Sequence, residues 1–252
     1  MQDANPLATW LPSPCVNRTV HTANADQLNT QLAQDIAQRL DLAIQARGFA
    51  VLSVSGGKSP IPLFEALRVQ LIDWSRVRVT LVDERCVPCT HPDSNALLVQ
   101  THLLQEHAHA ARFIPMVRET APPIASPQVQ AQAASLALQA AGTTDVLVLG
   151  MGADGHTASL FPQALNLSEA LERNAPQACI AMTLASLPAN APYQRITQSL
   201  AQLLHARHIV LPLSGAEKLN TLRQALERLN PQYPVSYVLH QTETPVALWI
   251  TP

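Results

Sequence analysis

Two side chains in the segment G150-M-G-A-D-G-H156 are of types that can carry out acid–base chemistry together, Asp154 and His156. Residues two apart in an extended turn can face the same way, whereas two apart on a helix they point apart. A carboxylate and an imidazole among three glycines suit a general base with the group that orients it. The same residues also suit a histidine that merely caps or packs a loop, so position in the fold must decide. The triplet Asp83-Glu84-Arg85 and the isolated cations Arg195 and Lys218 are candidates for holding a polar or anionic ligand. Taken singly they also suit solvated surface charges.

Two glycine clusters resemble phosphate motifs, and each departs from its pattern. S55-G-G-K-S-P60 ends like a P-loop, but GxxxxGK[ST] needs a glycine where Leu52 stands, and Pro60 removes an amide donor. Gly56 and Gly57 still allow close backbone approach at a helix start, which suits a single phosphate or a plain tight turn. G150-M-G-A-D-G155 reads literally as GxGxxG. A dinucleotide fold needs a long helix after the third glycine and an acidic residue about 20 positions on, yet Pro162 follows within seven residues. Cys86-Val-Pro-Cys89 has redox or zinc spacing but lacks a second pair, with Cys15 and Cys179 remote in sequence, so neither metal nor redox chemistry is expected.

The elements that must position these residues follow from apolar patterning. Leu28, Leu32, Ile36, Leu40 and Ile44 recur every fourth residue and predict an amphipathic helix over 25–47, stopped by Gly48. Four short apolar runs, 49–54, 77–82, 145–149 and 208–213, each end in a polar or glycine loop. Those loops begin at Ser55, Asp83, Gly150 and Ser214, and the last leads into a helix marked by Leu219, Leu222, Leu226 and Leu229. Further strands are predicted near 112–117, 179–183 and 246–250, an Ala-rich helix near 128–141, and a Pro-rich surface loop over 121–127. Continuous apolar strands alternating with helices predict a doubly wound α/β fold, a mostly parallel sheet with helices on both faces. The absence of a composition break predicts one domain over residues 1–252. In such sheets ligands bind beyond the carboxyl ends of the strands, so the four loops should share one edge.

Composition limits the partners. Hydrophobic residues make up 47% of the 252-residue chain and charged residues 13%, which indicates a sizeable core rather than disorder. The net charge of −2, without basic runs, argues against nucleic acid or an anionic membrane as partner. No apolar run reaches membrane-spanning length and no secretory signal is visible, so a cytoplasmic setting is expected.

Taken together, S55-G-G-K-S-P60, D83-E-R-C-V-P88 with Ser94-Asn95, L149-G-M-G-A-D-G-H-T-A-S-L-F-P162, R195-I-T197 and S214-G-A-E-K218 resemble the 6-phosphogluconolactonases, block by block and in order. D-G-H-T-A-S-L-F-P is the most specific of them. The wider superfamily includes glucosamine-6-phosphate deaminases, which resemble this chain through the Asp-Gly-His core and the glycine loop. Those enzymes carry a ring-opening glutamate beyond Asp-Gly-His, where this chain has Leu160-Phe161-Pro162. Against the lactonase pattern, Tyr193 stands where a histidine is common. The resemblance implies hydrolysis of 6-phosphoglucono-δ-lactone in the pentose phosphate pathway, with His156 as general base and Asp154 orienting it. It further implies Gly56, Gly57, Arg195 and Lys218 at the substrate phosphate, Asp83 and Arg85 binding substrate or bracing the site, and no cofactor. The expected assembly is a monomer or small homo-oligomer. The alternatives are an amino-sugar phosphate deaminase or isomerase and a non-catalytic sugar-phosphate sensor.

Overall fold

The computed structural model describes residues 16–119, 123–187 and 192–252. Along the chain, β1 (Val16–His21) and α1 (Ala25–Arg47) precede β2 (Ala50–Val54), α2 (Ile61–Arg68), β3 (Val77–Leu81) and β4 (Asp83–Arg85). Then come α3 (Asn95–His102), β5 (Arg112–Ile114), α4 (Pro127–Ala141), β6 (Val146–Val148) and α5 (Leu167–Ala170). The chain continues through β7 (Cys179–Met182), β8 (Arg195–Gln198), α6 (Leu200–Leu204), β9 (Ile209–Ser214), α7 (Ala216–Glu227), α8 (Val235–Leu239) and β10 (Val246–Thr251).

Seven strands form one sheet in the order β1-β10-β9-β6-β2-β3-β5, with parallel pairing throughout. Alternate residues of each strand serve opposite faces. Val146, Val148, Ala247 and Trp249 pack with α1, α2 and α4 residues on one side. Leu147, Leu149, Leu248 and Ile250 pack with α6, α7 and α8 residues on the other. Both faces are therefore buried, which is why these strands read as continuous apolar runs. The helix over 25–47 has the predicted bounds: Asn24 Oδ1 accepts from Gln27 N at 2.9 Å, and Gly48 closes the other end at φ 82°.

Several features differ from the sequence reading. The triplet at Asp83 is not a loop but strand β4, which pairs antiparallel with β8, as β7 also does, in a separate three-stranded sheet. The strand predicted near 179–183 is thus real but lies outside the parallel sheet. Strand β1, at the sheet edge, and strand β8 have no counterpart in the predicted elements. Leu229 lies past the end of α7 and is exposed. The surface loop expected over 121–127 falls partly, and Cys15 wholly, outside the described residues.

Candidate active site

The strand order places a topological switch at the middle of the sheet. From β2 the chain moves outward through β3 to β5, then returns to β6 on the other side of β2. Loops that leave two neighbouring parallel strands in opposite directions open a crevice between them, and ligands bind there. The loops leaving β2 and β6 are Ser55–Pro60 and Gly150–His156. They are tied together: Ser55 N donates to Val148 O at 3.0 Å, and Gly150 N donates to Ser55 Oγ at 2.9 Å. A cleft of about 1380 Å³ lies over them. Gly56, Gly57, Asp83, Arg85, Asp154, His156, Arg195 and Lys218 all line it, whereas Glu84, the middle residue of the candidate triplet, does not. Lys58, the lysine of the P-loop-like stretch, is exposed and not among the lining residues.

His156 Nδ1–H donates to Asp154 Oδ1 at 2.5 Å, and the backbone N–H of His156 reaches the same oxygen at 3.2 Å. That bond fixes the tautomer and leaves the Nε2 lone pair free to take a proton. The His156 hydrogen bond is the main reason the Asp154 carboxyl is held below its usual value, so it is a carboxylate at neutral pH. The His156 side chain is 31% exposed, which leaves the imidazole accessible to water. The glycines make room for the pair. A Cβ at Gly152 would stand 2.2 Å from His156 Cε1 and Nδ1 and 2.6 Å from Asp154 Oδ1. Gly155 adopts φ +78°, and a Cβ there would meet Tyr233 Cδ1 at 2.7 Å.

The loop beyond His156 is bound at nearly every residue. Thr157 Oγ1 donates to Gly150 O at 2.7 Å, Ser159 Oγ donates to Asp83 Oδ2 at 2.6 Å, and Leu160 N closes the turn on Thr157 O at 2.9 Å. Ala158 within it takes φ 49°, a left-handed conformation costing a non-glycine residue about 1–2 kcal/mol. The turn brings the Phe161 ring to 4.6 Å from the His156 ring, centroid to centroid, with the planes 35° apart.

On the other flank, Arg85 and Arg195 are register partners of β4 and β8. Arg195 is buried, and burial followed by the Arg85 charge lowers its guanidinium from the usual value. Between Asp83 and Arg85, Glu84 turns away from the cleft and is fully buried. Its carboxylate accepts from the backbone N–H groups of Arg85, Asn95 and Ala96 at 2.7–2.8 Å and from Ser94 Oγ at 3.0 Å. Burial outweighs those four bonds and pushes the carboxyl up to about 7. Asn95 Nδ2 donates to Asp83 O at 2.9 Å, while its Oδ1 sits against Gly56, where a Cβ would be 1.9 Å away. Lys218 stands opposite, in the first turn of α7 beyond β9.

Several of these residues were not singled out by sequence reasoning. Glu84 read as a ligand-holding or solvated charge rather than a buried one, and Ser159, Phe161 and Tyr233 carried no spacing signal of their own. Asn95 did have a signal, since Ser94 at an N-cap position before an apolar run marks the start of a helix. Tyr193 donates to Asp93 Oδ2 at 3.0 Å, and its carbonyl accepts from Arg195 Nη1 at 3.3 Å, so it braces the arginine flank. Cys86, Cys89 and Cys179 are free thiols, and burial pushes Cys86 up to about 12. No helix among the described residues is long and apolar enough to cross a membrane.

A family model described as glucosamine-6-phosphate isomerases/6-phosphogluconolactonase matches residues 23–249. The chain belongs to this family. A 6-phosphogluconolactonase of Neisseria meningitidis serogroup A is 40% identical over 86% of this chain and 91% of its own length. One from Pseudomonas putida is 40% identical over 91% of this chain and 92% of its own. A crystal structure of a 6-phosphogluconolactonase from Shewanella baltica superimposes with a TM-score of 0.87 at 38% identity, covering 96% of this chain and all of that one. The family's doubly wound α/β architecture is the one described above.

Proposed function

We propose that this chain hydrolyses 6-phosphoglucono-δ-lactone to 6-phosphogluconate, the lactone-opening step of the pentose phosphate pathway, with His156 as general base. The reading is carried by the Asp154–His156 hydrogen bond of 2.5 Å at the switch-point cleft. It draws further support from the lactonases 40% identical to this chain over most of its length.

With its Nδ1 proton held by Asp154, His156 takes a proton at Nε2 from a water that attacks the C1 carbonyl. Asp154 stabilises the imidazolium so formed, as a carboxylate does beside a catalytic histidine. The tetrahedral oxyanion collapses, the bond from C1 to the ring oxygen breaks, and His156 returns its proton to that oxygen. The product is an open-chain acid with a new hydroxyl. Gly56 and Gly57 before α2, together with Arg195 and Lys218, would hold the 6-phosphate, because backbone amides at a helix start and fixed cations favour an anion. Asp83, fixed by Ser159, and Arg85 would face the sugar hydroxyls.

The test is hydrolysis of freshly prepared lactone, corrected for the spontaneous reaction. The expected result is a rate far above buffer, with His156→Asn lowering kcat by about 10²- to 10⁴-fold while substrate still binds. A native rate equal to buffer would overturn the activity, and full activity in His156→Asn would overturn the base. Release of ammonia from glucosamine 6-phosphate at a comparable rate would place the chain with the deaminases instead.

A further inference from the structure

We propose that Phe161 is a positioning residue for His156, restricting the imidazole through a ring contact delivered by the strained turn at Ala158. The proposal rests on His156 acting as the base. One hydrogen bond to Asp154 fixes a single edge of the imidazole but leaves the ring able to rock about that bond. Its other contacts are therefore what decide where Nε2 points. The Nδ1 and Cε1 atoms lie against Gly152, close enough that even a methyl group there would collide with the ring. The Phe161 ring approaches the imidazole to 4.6 Å with its plane tilted by 35°. An aromatic neighbour in this range favours a defined ring orientation and attracts a cationic ring more strongly than a neutral one. Phe161 thus both restricts the base and favours the imidazolium that forms as water is deprotonated.

The backbone is built to deliver that ring. His156 and Phe161 are five residues apart, and only a tight reversal brings them into contact. Thr157 and Leu160 form an isolated antiparallel bridge, with Ala158 left-handed between them. Ser159 is secured from both ends, its hydroxyl to Asp83 and its amide to Thr197 Oγ1 at 3.2 Å. Backbone strain at a non-glycine residue persists where the surroundings over-determine it. Here the surroundings are the hydrogen bonds that tie the turn to β4 and β8. Pro162 then disfavours a helical backbone at Phe161, which limits the conformations open to the end of the turn.

The experiment compares the native chain with Phe161→Leu, which keeps an apolar group of similar reach, and with Phe161→Tyr, which keeps the aromatic face. Phe161→Leu should lower kcat about tenfold with KM within twofold, since misaimed chemistry slows the step without loosening the substrate. Phe161→Tyr should recover most of that loss. A second readout needs no turnover. Carbon-detected NMR titration of Asp154 should show its carboxyl rising toward the ordinary carboxylate value in Phe161→Leu, because a freed imidazole spends less time hydrogen-bonded to it. In the native protein the His156 Cε1–H resonance should also carry a ring-current shift that Phe161→Leu removes. Native kcat in Phe161→Leu, or an unmoved Asp154 titration, would overturn the proposal. So would the absence of the ring-current shift in the native chain, a measurement independent of whether either variant folds. Should the lactonase reading itself fail, the NMR arms still report whether Phe161 holds the imidazole.

Discussion

At the scale of single residues, the proposed base rests on the hydrogen bond between His156 and Asp154. The carboxylate lies below its usual value chiefly because His156 donates to it. Removing the donor therefore has a defined consequence: in His156→Asn the Asp154 carboxyl should titrate higher than in the native chain. Asp154→Asn should leave the imidazole intact but deprive it of the partner that fixes its tautomer and balances its charge. A loss of about 10²- to 10⁴-fold in kcat is expected, with little change in KM. Steady-state kinetics on the lactone check this, and a kcat within threefold of native would show that Asp154 is not the orienting group. The pair was legible in the sequence because D-G-H follows a continuous apolar strand, which places it at the ligand edge. Its neighbours were not. Phe161 reaches His156 only because of the conformation at Ala158, and no residue type announces a left-handed alanine.

At the scale of elements, legibility followed burial. Strands β2, β3, β6, β9 and β10 are covered on both faces, so they appear as apolar runs that pattern alone can find. Strand β1 alternates V-N-R-T-V-H at the sheet edge and carries no such run. β4 was missed for a different reason: D-E-R looks solvated until Glu84 is seen capping α3 from within the protein. This capping joins β4 to α3, and Asn95 carries the link on to the glycine loop. The two glycines of that loop should consequently differ. Gly57 has φ +88° but open space around its would-be Cβ, so Gly57→Ala should cost only backbone strain, about 1–2 kcal/mol. Gly56→Ala would drive a methyl group into Asn95 and through it disturb Asp83, costing about 1–3 kcal/mol and raising KM for the lactone as well. Urea denaturation and steady-state kinetics on both variants test the contrast. Equal KM values would show that Asn95 does not couple the loop to the substrate.

At the scale of the whole molecule, the cleft lies where the parallel sheet meets the small antiparallel one, and the joint between them contains a buried carboxyl. Glu84 is pushed up to about 7 by burial, against 4.5 for an unburied glutamate. A folded-state value above the unfolded one means the folded protein holds the proton more tightly. That stabilisation is complete below pH 4.5 and is lost as pH rises through 7, on the order of 3 kcal/mol over the window. Asp154 works in the opposite sense: its lowered carboxyl stabilises the fold above the ordinary value and stops doing so as pH falls through its folded value. At 54% exposure its share is screened by solvent and small. The His208 imidazole, lowered chiefly by burial, adds stability as pH rises and so opposes Glu84, whose larger shift sets the sign of the slope between pH 5 and 8. Native stability from urea midpoints should therefore decline across that range at constant m-value. Glu84→Gln cannot titrate, and its amide presents donors to Ser94 and the α3 backbone amides. It should be less stable at pH 5 by about 1–3 kcal/mol, yet with a flatter profile, so that the two curves converge toward pH 8. Parallel curves would assign the slope to another group and leave Glu84 ionised throughout, held by its four hydrogen bonds.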